Sequence, residues 1–384
     1  MADINGTDGD DLIEGTDQQD VIYAGNGNDT IAAGAGGDWI TSGLGNDAID
    51  GGSDADALLY EGVHDGVSLN NTPSLKNSVP AYSAISSDGL HQDTFMNVEN
   101  FHLSYGDDVF HTDASGYVFM RSGNDIAYID DGKVYVIPGS GSDTVIADAG
   151  QPSALSYFTD EFDGPSSGPI ASGIIVTYEI NTGYALAGQV TDGWGFTDTF
   201  SGIEEVEGTQ LADQFQGAGN LELNFYGRGG ADEILGGNGD DYLYGGADND
   251  TLAGNSGDDY LEGGSGQNTL TGGTGADQFS LSAYGYSEIT DYEAGEIVWI
   301  EKNDEFDTAS LSVEDINLAY DSASNTTRIS VEDSGDTDAL ADIQGQWFLD
   351  TVFTGEQLGL SLASSAPSEV TIRNPIVAPD PISA

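Results

Sequence analysis

The sequence predicts an all-β fold, a parallel β-roll or β-solenoid built from nonapeptide repeats and closed by a C-terminal β cap. Three observations lead there: glycine-rich clusters recurring every nine residues, an aspartate at a fixed place in each, and one large apolar residue two places further on. Self-similarity at a fixed short period is the mark of a stacked repeat architecture.

From Gly6 the chain reads GTDGDDLIE, GTDQQDVIY, AGNGNDTIA, AGAGGDWIT, SGLGNDAID and GGSDADALL. Position six is Asp11, Asp20, Asp29, Asp38, Asp47 and Asp56, and position eight is Ile13, Ile22, Ile31, Ile40, Ile49 and Leu58. A second array from Gly227 places Asp232, Asp241, Asp250, Asp259, Asn268 and Asp277 at position six, with Ile234, Leu243, Leu252, Leu261, Leu270 and Phe279 at position eight. Six residues rich in Gly, Asn and Asp suit a tight bend, because these types tolerate positive φ. The remaining three suit a short strand whose middle side chain points inward. Two nonapeptides then complete a coil of 18 residues. Coils stack about 4.8 Å apart, so residues 18 apart form columns: Asp11, Asp29 and Asp47 on one edge, Asp20, Asp38 and Asp56 on the other. Carboxylates stacked so closely call for a cation, and an all-oxygen donor set suits hard Ca²⁺.

These residues resemble the RTX, or haemolysin-type calcium-binding, family, whose pattern is GGxGxDxUx; twelve units of that type occur here, eleven of them with Asp at position six. The resemblance implies that each ion sits between loops 18 residues apart, held by both aspartates and by loop carbonyls. It pairs Gly237, Gly239 and Asp241 with Gly254, Ser256 and Asp259, and Gly25, Gly27 and Asp29 with Ser42, Leu44 and Asp47. The same transfer marks Gly9, Gly34, Gly36 and Gly51 in the first array as carbonyl donors. In the second it marks Gly230, Gly245, Gly246, Gly257, Gly263 and Gly272. Six units leave four gaps between loops, hence about four ions per array. Asn268 removes a charge and weakens its sites, while Gln18 and Asp54 occupy usual glycine positions.

Organisation along the chain follows these arrays: a first roll (1–59), a spacer cassette (60–103), a roll acidic on one edge (104–150), a second cassette (151–226), a second repeat roll (227–280), a capping β region (281–362) and a flexible tail (363–384). The cassettes are copies 105 residues apart, with Asp93-Thr94-Phe95 answered by Asp198-Thr199-Phe200. Between them Asp108, Asp125 and Asp143 are spaced by 17 and 18 residues, which suggests a further one or two ions. A continuous solenoid through the middle is expected. A cap is physically required, because the last coil otherwise leaves an open edge.

Charge narrows the function classes. Asp and Glu number 67 against 7 Lys and Arg, a formal charge of −60. Nucleic acid and anionic lipid are excluded as partners, since both need clustered cations. There is no cysteine, no apolar run of membrane-spanning length, and no basic-then-apolar leader at the start. Family members carry an uncleaved C-terminal signal read by a type I exporter, so the resemblance implies a secreted, extracellular or cell-surface protein. The four histidines, His64, His91, His102 and His111, form no HExxH, and no GxSxG is present, so no enzymatic activity is expected. Two functions fit. The first is a calcium-folded matrix, surface-layer, adhesin or filament component, self-associating into a layer or fibre. The second is a polysaccharide-binding accessory similar to the repeat modules of alginate epimerases and lyases, stacking sugar on Trp39, Tyr242, Tyr23 and Tyr244.

Overall fold

The computed structural model describes residues 1–60, 66–71, 82–86, 92–130, 132–148, 153–158, 170–179, 187–282 and 285–300. Beyond these it describes the strands Ile316–Asp321, Thr326–Asp333, Asp336–Gln344, Phe348–Phe353, Leu358–Ala363 and Thr371–Arg373. All regular elements among the described residues are strands, so the fold is all-β, as the repeat predicts. No helix there is long and apolar enough to cross a membrane.

Each nonapeptide of the first array delivers three residues of strand, and only the middle one is inward. Leu12–Glu14, Val21–Tyr23, Thr30–Ala32, Trp39–Thr41 and Ala48–Asp50 alternate between two parallel sheets. Register is set by the period of 18, which places Ile13 beside Ile31 and Ile22 beside Ile40. These isoleucines are at most 5 % exposed, whereas Leu12 at position seven is 74 % exposed. A shift by one residue would exchange those environments, so the apolar column fixes the coil.

The contacts divide the chain into two units, residues 1–174 with 180–207, and 175–179 with 208–384. In the first unit the roll runs without a break into the middle region. On one sheet Ala57–Leu59 pairs in parallel with Asn100–His102, which pairs with Gly116–Phe119, then Val134–Ile137, then Ser153–Ser156. On the other sheet the first cassette inserts an antiparallel meander. Gln92–Met96 pairs in parallel with Ala48–Asp50, folds back on Tyr82–Ser86 and then on Val67–Asn71, which pairs in parallel with Val109–Thr112. Parallel pairing then continues through Ile126–Ile129 and Thr144–Ala147 to Thr197–Ser201, on which Ala187–Thr191 folds back antiparallel.

In the second unit one sheet stacks Ile175–Glu179, Gln214–Gln216, Glu233–Leu235, Thr251–Ser256, Gly266–Thr274 and Gly285–Ile289. The other stacks Asn224–Gly229, Tyr242–Ala247, Tyr260–Gly264, Gln278–Leu281 and Ile297–Ile300. Parallel coils therefore extend one turn beyond the point where the nonapeptide period ends, because Ile289 and Val298 still fill the inward column. The capping strands then close both edges. Leu358–Ala363 pairs antiparallel with Ile297–Ile300, and Asp336–Gln344 joins Gly285–Ile289 before turning back on Thr326–Asp333. The tail read as flexible contains one strand, Thr371–Arg373, paired with Phe348–Phe353; residues 364–370 and 374–384 lie outside the described residues.

The inward column makes a direct prediction. Ile31→Ala removes a fully buried side chain and is expected to cost ~2–5 kcal/mol, whereas Leu12→Ala stays within ~0.5 kcal/mol. Denaturant unfolding of the folded protein reads both. Equal losses would contradict the inward and outward assignment.

Candidate metal centres

In the second array each loop turns its position-six side chain back over its own first residue, whereas Ala24, Ala33 and Ser42 occupy that place in the first. A Cβ placed on Gly245 would lie 2.4 Å from Asp250 Oδ2 and 2.7 Å from the Gly263 carbonyl; on Gly254 it would lie 2.1 Å from Asp259 Oδ2. Position one is glycine in these loops because the carboxylate occupies that space. Positions two and four need glycine for a second reason: Gly25, Gly27, Gly34, Gly36, Gly230, Gly246 and Gly257 have φ between +98° and +130°. Gly9, Gly237 and Gly239 do not adopt positive φ, and Gly51, Gly263 and Gly272 are position-one residues under a carboxylate or, at Gly263, under Asn268. Asp54 keeps the left-handed conformation of the glycine it replaces, with φ +79°, which aspartate tolerates better than most residues.

The aspartates stand in columns, joined by main-chain donors. Asp11 N–H donates to Asp29 Oδ1 at 2.8 Å, and Asp29 N–H to Asp47 Oδ1 at 2.8 Å. On the other edge Asp20 donates to Asp38 and Asp38 to Asp56, both at 2.7 Å. The middle region repeats this from Asp108 to Asp125 at 2.7 Å and from Asp125 to Asp143 at 2.8 Å. In the second unit Asp232 donates to Asp250, Asp241 to Asp259 and Asp259 to Asp277. Asn268 holds the place of an aspartate: its Oδ1 accepts from Asp250 N–H and its Nδ2 donates to the Gly264 carbonyl.

Four carboxylates that the sequence reading did not select as ligands join these columns. Asp93 Oδ1 accepts from Asp47 N–H at 3.0 Å, Glu99 Oε2 from Asp56 N–H at 3.0 Å, and Asp198 Oδ1 from Asp143 N–H at 2.9 Å. Asp213 N–H donates to Asp232 Oδ1 at 2.7 Å. A signal for Asp213 was present, since GTQLADQFQ from Gly208 is a complete nonapeptide without its usual second and fourth glycines. Asp93 and Asp198 carry only the Asp-Thr-Phe of positions six to eight. Their place in the columns comes from the meander, which no short period reveals.

While Oδ1 is satisfied along the column, Oδ2 is not. Asp29, Asp38, Asp47, Asp56, Asp125, Asp143, Asp232, Asp250 and Asp259 each have a buried Oδ2 without a hydrogen-bond partner. Each of these residues is at most 3 % exposed. Buried carboxylate oxygens without donors are strongly disfavoured unless a cation is present. Burial, followed by neighbouring carboxylates, pushes Asp125 up to about 9 and Asp143 up to about 8. Burial likewise raises Asp47 to about 7 and Asp232 to about 8.

Loop carbonyls line the same edges. Gly25 O accepts from Leu44 N–H and Leu44 O from Gly27 N–H, which leaves each carbonyl a second lone pair. Among the described residues no group of three or more His, Cys, Asp and Glu converges as a metal set. The donors are paired carboxylates and main-chain oxygens, a set that fits a hard divalent cation.

Residues 5–40, 23–58, 224–252 and 253–283 match the model of the RTX calcium-binding nonapeptide repeat. The two arrays are RTX repeats. No curated protein matches the chain. The RTX matches cover both arrays and leave out the middle column of Asp108, Asp125 and Asp143, where one loop is a residue short and the opposite edge has Gly116 and Val134 in place of the position-six aspartate.

The raised carboxyls set a pH dependence for the cation-free chain. Their folded values lie above the ~3.9 of an unfolded aspartate, so the folded state binds more protons between those limits. Stability is then fullest below about pH 4 and is lost as pH rises towards the values of about 7 to about 9 cited above. In chelator, circular dichroism should show β structure in acid that disappears towards pH 8. A β signal that grows with pH in chelator would contradict this.

Proposed function

We propose that the chain is a secreted, non-enzymatic structural or surface component, a matrix, surface-layer, adhesin or filament protein, whose roll forms when calcium enters the carboxylate columns. The observation that carries this reading is the series of buried, unpartnered Oδ2 atoms repeated from loop to loop. Asp29, Asp38, Asp47 and Asp56 supply four such atoms in the first array, in keeping with one ion for each of its four gaps. The ligands of each ion are then the two aspartates of neighbouring loops with the carbonyls at positions one to four.

Calcium would supply the positive charge that the columns lack, and nothing else in the chain can. Seven Lys and Arg cannot offset 67 acidic side chains, and self-repulsion of that size opposes a compact state. Fixing 55 glycines adds a large entropic penalty. A cation that binds only the folded form shifts the balance by mass action. Extracellular calcium modules bind at about 10⁻⁴ to 10⁻³ M. Such an affinity keeps the chain unfolded and export-competent inside a cell and folds it outside.

A second reading, a polysaccharide-binding accessory, has the exposed tyrosines in its favour: Tyr117, 48 % exposed, stacks on Tyr135 with ring centroids 5.0 Å apart. The aromatics of the second unit support it less. Tyr226 stacks on Tyr244, and Tyr242 and Tyr244 pack against Tyr260 and Trp299, so their faces are largely engaged with one another.

Circular dichroism during a calcium titration at neutral pH tests the first reading. The expected result is a cooperative rise of β signal in the millimolar range, reversed by chelator. A neutral-pH β signal unchanged in excess chelator would sink it. Retention on an immobilised polysaccharide, with and without calcium, separates the second.

A further inference from the structure

The loops fall into two kinds, distinguished by the residue at position two. In every loop named above for an unpartnered Oδ2, that residue has φ between +69° and +112°. Most are glycine, but Arg121, Arg228 and Asn255 adopt the same left-handed conformation. The first loop of each column is different. Thr7, Thr16, Ser104 and Thr209 stand at position two there, and none has positive φ. Their N–H groups point into the loop and donate to Oδ2 of Asp11, Asp20, Asp108 and Asp213 at 2.6, 2.7, 2.9 and 2.6 Å. Their hydroxyls add a second bond to the same carboxylates, at 2.7 to 3.0 Å. The fifth column starts with Gly237, also without positive φ, whose N–H donates to Asp241 Oδ2 at 2.5 Å.

Far ends of two columns are closed in a similar way. Tyr60 donates its hydroxyl to Asp93 Oδ2 at 3.1 Å, and Tyr157 to Asp198 Oδ2 at 2.8 Å. Within the columns, unpartnered Oδ2 atoms thus lie beyond the first loop, Asp277 at the far end of its column among them, with Gly273 at φ +103° in position two.

We propose that position two decides which loops take a cation. Serine or threonine there closes the loop with its own donors, and a left-handed residue leaves Oδ2 to be met by calcium. The physical basis is steric: a β-branched residue at positive φ is an outlier, so threonine holds the loop in the closed form. Glycine has no such restriction, and arginine and asparagine reach it at modest cost. The proposal rests on the calcium reading above and goes beyond it, since it assigns the start of four of the five columns to specific side chains.

One column of the second unit, running from Asp213 through Asp232 and Asp250 to Asn268, allows the test. Calcium bound per molecule of full chain is counted by equilibrium dialysis at saturation. Arg228→Thr is expected to remove one ion. Arg228 is exposed, and Arg228→Gly controls for the lost charge and should leave the count unchanged. Thr209→Gly with a lower count overturns the proposal, since that would make the hydroxyl a ligand. The Arg228 pair decides: equal counts for Arg228→Thr and Arg228→Gly overturn the proposal. A wild-type chain that binds no calcium overturns both readings; a wild-type chain that binds it, with unaltered counts in the variants, overturns this one only.

Discussion

Eighteen residues separate most buried aspartates from the next in their column, and the main-chain N–H of each is committed to its neighbour's Oδ1. That bond ties coil to coil at the loop edge, as the strand ladder does at the sheets. It also brings negative charges within a few ångströms of one another in a place from which water is excluded. The apolar column of Ile13, Ile31 and Ile49 holds the register, yet by itself it would leave the edges repelling. Fold and cation requirement are therefore one constraint: the geometry that satisfies Oδ1 is the geometry that strands Oδ2.

Much of this was legible because two periodicities coincide. Nine residues set the spacing of Asp38 and Ile40 from Asp29 and Ile31, and a coil of two nonapeptides follows without further information. The glycine at position one was equally legible, although its reason was not. Only the coordinates show the Asp250 carboxylate lying where a Cβ on Gly245 would go. Asp93 and Asp198 were out of reach for a different cause. They enter their columns from strands that rejoin the roll in parallel only after an inserted antiparallel strand, so their distances of 46 and 55 residues from Asp47 and Asp143 bear no relation to the period. Sequence periodicity describes local turns well and says little about where an inserted meander rejoins the stack.

The cassettes solve a continuity problem in the first unit. A roll interrupted by a globular insertion would expose four strand edges, which invite unwanted pairing. Here Gln92–Met96 and Val67–Asn71 take up both edges on one sheet, while Asn100–His102 joins Ala57–Leu59 directly on the other. The C-terminal strands meet the same need in the second unit with antiparallel partners for Ile297–Ile300. Parallel coils bring their own carboxylate-bearing loops; antiparallel strands close an edge without them.

One consequence concerns the outside of the roll. Of the three strand residues in a nonapeptide of the first array, only the middle one points into the core, and the cations would lie in the loops. Positions seven and nine take part in neither task, which is how leucine, threonine, glutamate, tyrosine and tryptophan all occur there in the first array. The roll thus separates the instructions for folding from the chemistry it displays. Its two faces can be rewritten residue by residue, in repeating rows, while the fold beneath them stays the same.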